Sequence, residues 1–539
     1  MFNPSVFRRL TIILLIALGL FILLTFEQYG ISNDEEVQHI YGRLLLDFYT
    51  SGFTDQDAFH YRNLYLYGGF FDLVAAVLEK FVPIWIWDLR HLLSAAFGLS
   101  GIIASYKAAR LLGNERSGFI VAVLLAITGA WTGAMFTHTK DVPFATCMVW
   151  ALYYSMRLSR QLPTPSLGLC IKLGIAVGCA LGLRIGGVFS VFYLLLAVLI
   201  GGWIAGPGFG EKWRYWLTSA WRLLPAGITA FALMALFWPW GVMSPDHPLQ
   251  AAEAFSHFAF NMLTVMDGEV MKIGEVPREY LPSYLLVRLP EVFLLGLLAM
   301  LVIGLFHLRE WRPKSRQFLP WLLVAVAALF PLVFILLDKP ALYNGVRHFT
   351  FLIPPLAILS GLGLSMSWDA LAKTPKLRWL GAGVVTALTL ATTVTMVQLH
   401  PYEYIYYNRL AGSMPYAESH WEGDYWSSSL REAAEILEDK LPELQAVDKQ
   451  AGDGLNHAPY KVAVCAESIQ GDAYLDHRFQ ITSDWVSADF FISSTNMNCD
   501  KVLQGKIIGT VERMGAILAV VKDRRNLHPK YRFPRPAPH

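Results

Sequence analysis

Charged residues are scarce in this chain of 539 residues. Asp, Glu, Lys and Arg make up 16% of the sequence, whereas a soluble globular protein has about 25%, so the composition argues against a soluble enzyme. Neither sign of charge dominates, because the formal net charge is +2, and a chain without a one-signed field is not expected to bind nucleic acid. Cysteine is scarce as well, since the five cysteines are too few for a disulfide scaffold and lack the spacing of zinc ligands.

Long hydrophobic runs are what the chain has instead, and its mean hydropathy is +0.41. Runs of about 20 apolar residues predict membrane-spanning helices, because that length crosses the hydrocarbon layer. The sequence predicts about eleven spans, at residues 10–27, 91–112, 118–136, 143–158, 167–186, 188–206, 222–240, 286–307, 318–338, 348–366 and 379–399. The first span follows Arg8 and Arg9 without a small-residue cleavage site after it, which indicates an uncleaved anchor.

Lys and Arg concentrate in alternate loops, and this predicts an orientation. With the N-terminus in the cytoplasm, every strongly basic loop lies inside. These loops carry Lys107, Arg110 and Arg116; Arg157 and Arg160; Lys212 and Arg214; Arg309, Arg312, Lys314 and Arg316; and Lys373, Lys376 and Arg378. The carboxylate-rich loops 28–90 and 241–285 then lie outside, together with the tail, 400–539. We expect the membrane to be the inner (cytoplasmic) membrane of a bacterium, with the tail in the periplasm.

The tail differs in composition from the rest of the chain. A helical pattern at 427–440 and strand-like runs at 461–465, 489–493 and 516–522 predict a small α/β domain. The Pro-rich end, 529–539, is typical of a disordered terminus. The expected fold class is therefore a mainly α-helical polytopic membrane domain, 1–399, followed by a small extracytoplasmic α/β domain, 400–539. Outside the cell, Cys465 and Cys499 could pair, and two free thiols are an equally good interpretation.

The apolar segment 64–87 is interrupted by Asp72, Glu79 and Lys80. Counting it as a span would break the charge rule for every later loop. We therefore interpret it as an amphipathic helix at the outer interface, anchored by Trp85 and Trp87.

Three groups of charged residues lie at outer span ends. The first is Asp34-Glu35-Glu36, followed by His39, directly after the first span. A carboxylate here could act as a general base on an acceptor hydroxyl or amine. The alternative is an acidic N-cap of a helix that begins near Asp34.

The second group is the short turn from Thr137 to Pro143, which contains Lys140 and Asp141. A carboxylate between two spans is costly unless it is paired, and Lys140 is the nearest candidate partner. A plain charged turn, with Pro143 in the first turn of the next helix, is the alternative.

The third group consists of cations at outer boundaries, where the charge rule does not place them: Arg62, Arg90, Arg184, Arg347 and His348. Arginine suits phosphate because its planar fork donates two charge-assisted hydrogen bonds. We expect a lipid headgroup at Arg90. A substrate phosphate and a headgroup are both open for Arg184 and Arg347.

Taken together, the acidic pair Asp34-Glu35, the turn Lys140-Asp141-Val142-Pro143 and Arg347-His348 followed by Pro354-Pro355 resemble the motifs of the GT-C class of membrane glycosyltransferases. The resemblance covers nearly the whole chain. It is strongest to the bacterial relatives of protein O-mannosyltransferases (glycosyltransferase family 39) and to the aminoarabinose transferase that modifies lipid A.

The resemblance implies inverting transfer of a sugar from a polyprenyl-phosphate donor to an envelope acceptor, which could be a protein, lipid A or a glycan. Asp34 would be the base or the carboxylate that orients the acceptor, Glu35 would contact the sugar, and Asp141 would orient the acceptor or hold Lys140. Only one or two of the neighbours Asp34, Glu35 and Glu36 can face one site, so the assignment among these three stays open. The donor phosphate would be bound by Arg347, His348, Arg184, Lys140 and Arg62. The acceptor or sugar would be bound by Glu36, His39, Trp421, Asp424 and Trp426, because aromatic rings stack on sugars.

Three further expectations concern an external loop, the aromatic residues after the last span, and metal ions. Loop 241–285 would form a mobile cover over the site, and Tyr402 to Tyr407 would form an aromatic belt at the membrane. No metal is expected to be obligatory, although Mg²⁺ or Mn²⁺ could bind the outer carboxylates. The competing functions are a secondary transporter, which would need charges near span midplanes, and a non-catalytic scaffold that presents the tail.

Overall fold

Apolar helices form most of the protein, and a small sheet stands at its C-terminal end. The structure is a computed structural model that describes residues 4–256, 262–307, 318–338, 340–451 and 459–536. The basic loop with Arg309, Arg312, Lys314 and Arg316 lies outside the described residues. The helices are α1 Pro4–Thr25, α2 Glu35–Thr50, α3 Phe70–Glu79, α4 Ile86–Leu112, α5 Glu115–Ala126, α6 Gly129–Thr132, α7 Ala134–Thr137, α8 Asp141–Ser159, α9 Leu167–Leu181, α10 Val188–Ala205, α11 Phe209–Phe237, α12 Pro239–Met243, α13 His247–Ser256, α14 Tyr280–Arg288, α15 Glu291–His307, α16 Phe318–Asp338, α17 Ile353–Ala370, α18 Pro375–Leu399, α19 Met414–His420, α20 Leu430–Ala451 and α21 Ile469–Asp472.

Each predicted span corresponds to a helix, but fewer helices meet the length and hydropathy of a span. Within the described part of the chain, seven helices are long and apolar enough to cross a membrane, or nine if two bent pairs each count as one span. The bent pairs are α5 with α6–α7, at 72°, and α14 with α15, at 116°. The expected count of eleven spans is not reached for two reasons. Helix α9 has only 15 residues. Helix α8, which begins with Asp141, is not among the helices that are long and apolar enough to cross a membrane.

The peripheral helices expose long apolar surfaces, as expected of helices that span a membrane. The most apolar stretches of α1 and α18 are each only 11% buried inside the protein, whereas that of α17 is 78% buried. Apolar side chains that remain exposed over such lengths need a lipid environment. The central helix α4 packs against α5, α8 and α17, so the bundle has its own protein core.

The break in the third span is caused by close backbone packing. Residues Gly129 and Gly133 lie directly against the backbone of Glu403 at the start of the tail, where any Cβ atom would collide with it. The chain therefore bends at this point, and the tail docks on the bend.

The segment between α2 and α4 contains the ten-residue helix α3, which is too short to span a membrane. Gly42 of α2 lets the backbone of Asp72 approach without a clash. Trp85 is 40% exposed, but Trp87 is buried against the ring of His39 at 5.4 Å. The expected interfacial anchor at Trp87 is thus wrong, because this indole packs inside the protein.

The tail contains a mixed five-stranded sheet, as the sequence predicts for a small α/β domain. A separate hairpin, β1 Leu263–Met266 and β2 Glu269–Lys272, precedes it, and the sheet strands are β3 Tyr460–Cys465, β4 Phe479–Ile481, β5 Phe490–Ser494, β6 Lys506–Arg513 and β7 Ala516–Asp523. Their order is β4-β3-β5-β7-β6, with β3 parallel to β4 and β5 and with β7 antiparallel to β5 and β6. The sequence missed β4, which has three residues, and β6, whose apolar residues are interrupted by polar ones.

Two segments of the tail are cross-linked to the rest of it. Cys465 and Cys499 form a disulfide, so the paired form is observed of the two alternatives that the sequence left open. Residues 529–536, part of the end that the Pro-rich composition predicts to be disordered, make hydrogen bonds: Arg532 donates to the carbonyls of Arg524 and Arg525, and the amide of Arg535 donates to Val502 O at 2.9 Å. Residues 537–539 lie outside the described residues.

The tyrosines from 402 to 407 are buried inside the protein, so the expected lipid-facing aromatic belt is wrong. The hydroxyl of Tyr404 donates to Asp424, and that of Tyr407 donates to Glu422 O at 2.8 Å. These rings join the membrane bundle to the tail.

Candidate active site

The site is organised by the turn between α7 and α8. It is so short that its residues stay at the end of the bundle, where α2, α10, α17 and the tail converge. Neighbouring side chains of this turn point in different directions, and each one contacts a different element. Thr139 donates to Gln38 Oε1 of α2 at 2.7 Å, for example, and Thr137 O accepts from Ser32 Oγ at 3.1 Å.

A chain of alternating charges runs through the site. Arg184 Nη2 donates to Asp141 Oδ1, and Arg347 Nε donates to Asp141 Oδ2 at 3.1 Å. Arg347 Nη2 also donates to Asp34 Oδ2. The order is therefore Arg184, Asp141, Arg347, Asp34, and every contact in it joins opposite charges.

Asp141 and Asp34 differ in how firmly they are held. The Asp141 side chain is 2% exposed and both of its oxygens accept from an arginine. The Asp34 side chain is 40% exposed, and among the described residues it has a partner only at Oδ2, which accepts from Arg347. Asp34 stands at the N-cap of α2 but makes no capping hydrogen bond, so the capping alternative does not describe what its carboxylate does.

Lys140 does not pair with Asp141, contrary to the expectation from their adjacency. Its ammonium lies 3.9 Å from the centre of the Tyr67 ring, an arrangement that is attractive because the ring face is electronegative. Burial lowers the pKa of Lys140 to about 8. The charge of Asp72 opposes this decrease, and that of Arg184 adds to it. The lysine therefore contributes a cation that is ready to lose its proton above neutral pH.

These groups line a cavity of about 500 Å³. It brings together seven of the residues predicted from the sequence, namely Asp34, Arg62, Lys140, Arg184, Arg347, His348 and, from the tail, Trp426. Asp141 lies behind its wall, bound to both arginines. Among the described parts of the chain, the cavity lining combines four cations, Arg62, Lys140, Arg184 and Arg347, with the carboxylates of Asp34 and Glu467.

The tail forms part of the cavity wall through Tyr425 and Trp426. The indole N–H of Trp426 donates to His138 Nε2 at 2.9 Å, and the Tyr425 hydroxyl lies 2.7 Å from the same nitrogen. Because an indole can only donate, His138 Nε2 must be unprotonated. Burial agrees with this, since it lowers the pKa of His138 to about 3.

Trp426 also supports Arg347. The guanidinium carbon lies 3.9 Å from the centre of the indole ring, so the arginine stacks on a residue of the tail. The sequence assigned Trp426 to sugar binding, and the structure places it at the cavity but with its ring against the arginine. A lone tryptophan in the sequence does not reveal which cation it meets.

Glu35 is fully buried and does not reach the cavity, although it is next to Asp34. Its Oε2 accepts from the amide of Ser32 at 2.7 Å and lies 3.2 Å from His91 Nε2. Its Oε1 is 3.9 Å from Arg90 Nε. The expected sugar contact of Glu35 is therefore wrong for this structure, and its role is to hold the start of α2.

Arg90 joins this buried network and does not face lipid headgroups, contrary to our expectation. It donates to Asp72 Oδ1 at 2.9 Å and to Gln38 Oε1 at 3.3 Å, and its side chain is fully buried. Burial raises the pKa of Asp72, and Arg90 opposes that rise. The network lies behind Asp34 and connects α2, α3 and α4.

The other predicted acceptor residues lie away from the cavity lining. His39 packs on Trp87, and burial lowers its pKa to about 4. Trp421 packs against Tyr284 at 5.0 Å. Asp424 accepts hydrogen bonds from the amides of Ser428 and Ser429 ahead of α20. Glu36 is not among the lining residues.

The sequence did not predict that several other residues line the cavity: Asn33, Gln38, Tyr67, Tyr343, Asn344, Tyr425, Glu467 and Asn496. Most are uncharged, so the charge rule that selected the arginines gave no signal for them. The adjacency of Asn33 to Asp34 and of Tyr343-Asn344 to Arg347 is the signal that could have found some of them.

Part of the predicted cover loop does reach the site. Met262 and Leu263 line the cavity, and residues 257–261 lie outside the described residues. The hairpin β1–β2 is bound to the tail, because Thr264 Oγ1 donates to Glu422 Oε1 at 2.6 Å and the amide of Gly268 donates to His420 O at 2.9 Å. The loop therefore joins the tail in forming the wall.

Metal ligands are not grouped at this site. Within the described residues, no cluster of three or more His, Cys, Asp or Glu side chains could hold a metal ion. Asp141, the best-buried carboxylate of the site, already has both oxygens bound to arginines.

Comparisons with known proteins agree on the fold. No protein-family model and no curated protein matches the sequence. A crystal structure of ArnT from Cupriavidus metallidurans bound to undecaprenyl phosphate matches with a TM-score of 0.51 and 15% identity, over 95% of this chain and 97% of that one. The chain has the GT-C fold.

A second solved structure is less similar. The oligosaccharyltransferase of Archaeoglobus fulgidus in the apo form has a TM-score of 0.48 and 14% identity, over 90% of this chain and 69% of that one. The sequence motifs predict the GT-C fold, and the ArnT structure confirms it. At 15% identity, that match describes the fold rather than the substrate.

The buried network behind Asp34 gives a first test. Replacing Arg90 with Met would leave the buried carboxylates of Glu35 and Asp72 without their cation, and should destabilise the protein by about 3–5 kcal/mol. The measurement is thermal unfolding in detergent. Arg62→Met removes an exposed cation at the cavity and is the matched control, with a change within about 0.5 kcal/mol. Equal melting temperatures for the two variants would contradict the structural role of Arg90.

Proposed function

We propose that this protein is an inverting glycosyltransferase that moves a sugar from a polyprenyl-phosphate donor to an acceptor outside the cytoplasmic membrane. The observation that carries the proposal is the one cavity shared by Asp34 with Lys140, Arg184 and Arg347, at the ends of apolar helices. The GT-C fold supports it, and the ArnT structure with this fold was bound to undecaprenyl phosphate.

The cations suit a phosphate that leaves. As the bond between the anomeric carbon and the phosphate oxygen breaks, negative charge accumulates on the phosphate. Arg347 and Arg184 are held in place by Asp141 before any ligand arrives, and Lys140 lines the same cavity with its ammonium over the ring of Tyr67. Preorganised donors of this kind stabilise charge that develops in the transition state.

Asp34 suits the role of base. The acceptor hydroxyl or amine would attack the anomeric carbon from the side opposite the phosphate, and Asp34 would take its proton. Its partly exposed carboxylate lines the cavity, whereas Asp141 has no free oxygen for that task. Asp141 is thus assigned to positioning the arginines.

A lipid tail would find an apolar path beside the phosphate site. Phe144 of α8 and Phe351, one helical turn after Arg347, contact each other at 5.6 Å. Phe351 lies 6.3 Å from Phe189, which lies 5.6 Å from Phe330 of α16. This row continues to Phe192, which is 37% exposed on the surface of α10. An isoprenoid chain could therefore enter sideways between α10 and α16.

The charges and the disulfide support one orientation. The basic loops predict that the N-terminus is cytoplasmic, so that the cavity and the tail would lie outside. A disulfide between Cys465 and Cys499 supports that side, because disulfides persist in oxidising compartments such as the bacterial periplasm. The acceptor would thus be a component of the envelope, with protein, lipid A and glycan as the candidate classes.

The decisive assay follows release of polyprenyl phosphate from a polyprenyl-phosphate sugar by the purified protein. Mannose is the first sugar to test, because the sequence resembles O-mannosyltransferases. Asp34→Asn should lower turnover by about 100-fold or more, since the base is removed. Glu36→Gln removes a neighbouring carboxylate that does not line the cavity, so its turnover should stay within about twofold of the unchanged protein.

Two outcomes would contradict the proposal. If no polyprenyl-phosphate sugar is consumed with any envelope extract as acceptor, the transferase assignment fails. If Asp34→Asn keeps full turnover, the transferase survives but Asp34 is not its base.

We also propose that no metal is obligatory, because arginines already bind both oxygens of Asp141, the best-buried carboxylate of the site. Turnover should therefore be unchanged after dialysis against EDTA, and added Mg²⁺ or Mn²⁺ should not raise it. A loss in EDTA that either ion restores would show that a metal takes part.

The pKa of Lys140 gives a pH dependence. The ligand-free lysine is charged below pH 8 and neutral above it, while a phosphate monoester is already doubly charged because its second pKa is about 6. Affinity for polyprenyl phosphate should therefore fall by up to roughly tenfold between pH 7 and pH 9. Lys140→Met should bind more weakly with a flatter profile, and Lys80→Met, at an exposed lysine, should keep the decline. An unchanged slope in Lys140→Met would contradict this assignment.

A further inference from the structure

In the ligand-free protein, two nitrogens of Arg347 are already bound to carboxylates. Its Nη2 donates to Asp34, while its Nε donates to Asp141. A phosphate that binds Arg347 at either of these nitrogens must therefore displace a carboxylate, either Asp34 or Asp141.

Asp141 is not free to move. Its two oxygens are bound by arginines from two different segments of the chain, and its side chain is 2% exposed. Leaving would strand Arg184 as well, whose Nε is buried and makes no hydrogen bond in the structure.

Asp34 can leave at little cost. Its Oδ1 makes no hydrogen bond to the described residues, it caps no amide of α2, and 40% of its side chain is exposed to the cavity. Rotation about its own side-chain torsions is enough to move the carboxylate, since the backbone of α2 is held separately by Glu35 and Ser32.

Arg347 itself stays in place when Asp34 leaves. One face of the guanidinium stacks on Trp426 at 3.9 Å, and its Nε remains bound to Asp141. The arginine therefore keeps its position while the anion at its outer edge is exchanged.

We propose, resting on the function proposed above, that Asp34 and the donor phosphate compete for Arg347. Asp34 occupies the phosphate position in the empty protein, and a bound donor releases the carboxylate so that both of its oxygens face the acceptor. After transfer, Asp34 releases the proton that it took from the acceptor to the solvent, returns to Arg347 as a carboxylate and helps to expel the polyprenyl phosphate. The base thus becomes available only when a donor is bound.

Competition predicts an effect opposite to that expected of an ordinary binding residue. Asp34→Asn should bind polyprenyl phosphate more tightly than the unchanged protein, by roughly 5- to 50-fold in Kd, which is the range of typical coupling between two ligands of one group. The asparagine keeps the size of the side chain but removes the charge that competes with the phosphate.

The experiment measures binding of undecaprenyl phosphate to the full-length protein in detergent micelles. Glu36→Gln is the matched control, because it removes the same charge two residues along the chain without touching Arg347, and its Kd should stay within about twofold. Release of the bound lipid, followed by dilution, should be slower from Asp34→Asn than from the unchanged protein.

The outcomes separate this inference from the function on which it rests. If undecaprenyl phosphate binds the unchanged protein and Asp34→Asn binds it equally or more weakly, the competition is overturned and the donor assignment stands. If Glu36→Gln tightens binding as much as Asp34→Asn does, a general charge effect replaces the competition. If undecaprenyl phosphate does not bind the unchanged protein at all, both proposals fail.

Discussion

The pairing of Asp141 with two arginines is the interaction on which the rest of the site depends. A carboxylate at the first residue of a buried helix, beside apolar spans, is expensive unless opposite charges compensate it. Arg184 comes from the segment before α10 and Arg347 from the segment before α17, so the compensation fixes three parts of the bundle relative to one another. The same pairing leaves both arginines in the cavity lining, where we propose that the donor phosphate binds. One structural requirement would thereby also serve anion binding.

Much of this could be predicted from the sequence, because charge is rare and its location is informative. Asp34, Asp141, Arg184 and Arg347 were selected only because each is a charge at an outer span end, and the structure joins them in one chain of ion pairs. The helical bundle and the α/β tail followed from hydropathy and strand-like runs in the same way. Fewer helices qualify as spans than expected because bends and short helices are decided by packing, which apolar runs do not encode.

The remaining assignments could not be predicted, for a related reason. Glu35 and Asp34 are adjacent and chemically alike, yet consecutive residues at a helix start point in different directions, so one is buried with His91 and the other faces the cavity. Asp424 and Trp426 stand two residues apart, and only the backbone decides that the first accepts from the amides of Ser428 and Ser429 while the second reaches Arg347. Sequence identifies the groups that are able to react, whereas packing decides which ones meet.

The contact between Trp426 and Arg347 explains why the tail belongs to the site. A guanidinium presents two different surfaces, because its face stacks on aromatic rings while its N–H groups donate in the plane. Trp426 occupies the face and Asp141 one part of the edge, so the remaining edge can exchange one anion for another without moving the arginine. His138, which is neutral and buried, accepts a hydrogen bond from the N–H at the edge of the Trp426 indole. The turn before α8 therefore controls Arg347 twice, through the carboxylate of Asp141 and, by way of His138, through a ring that belongs to the tail.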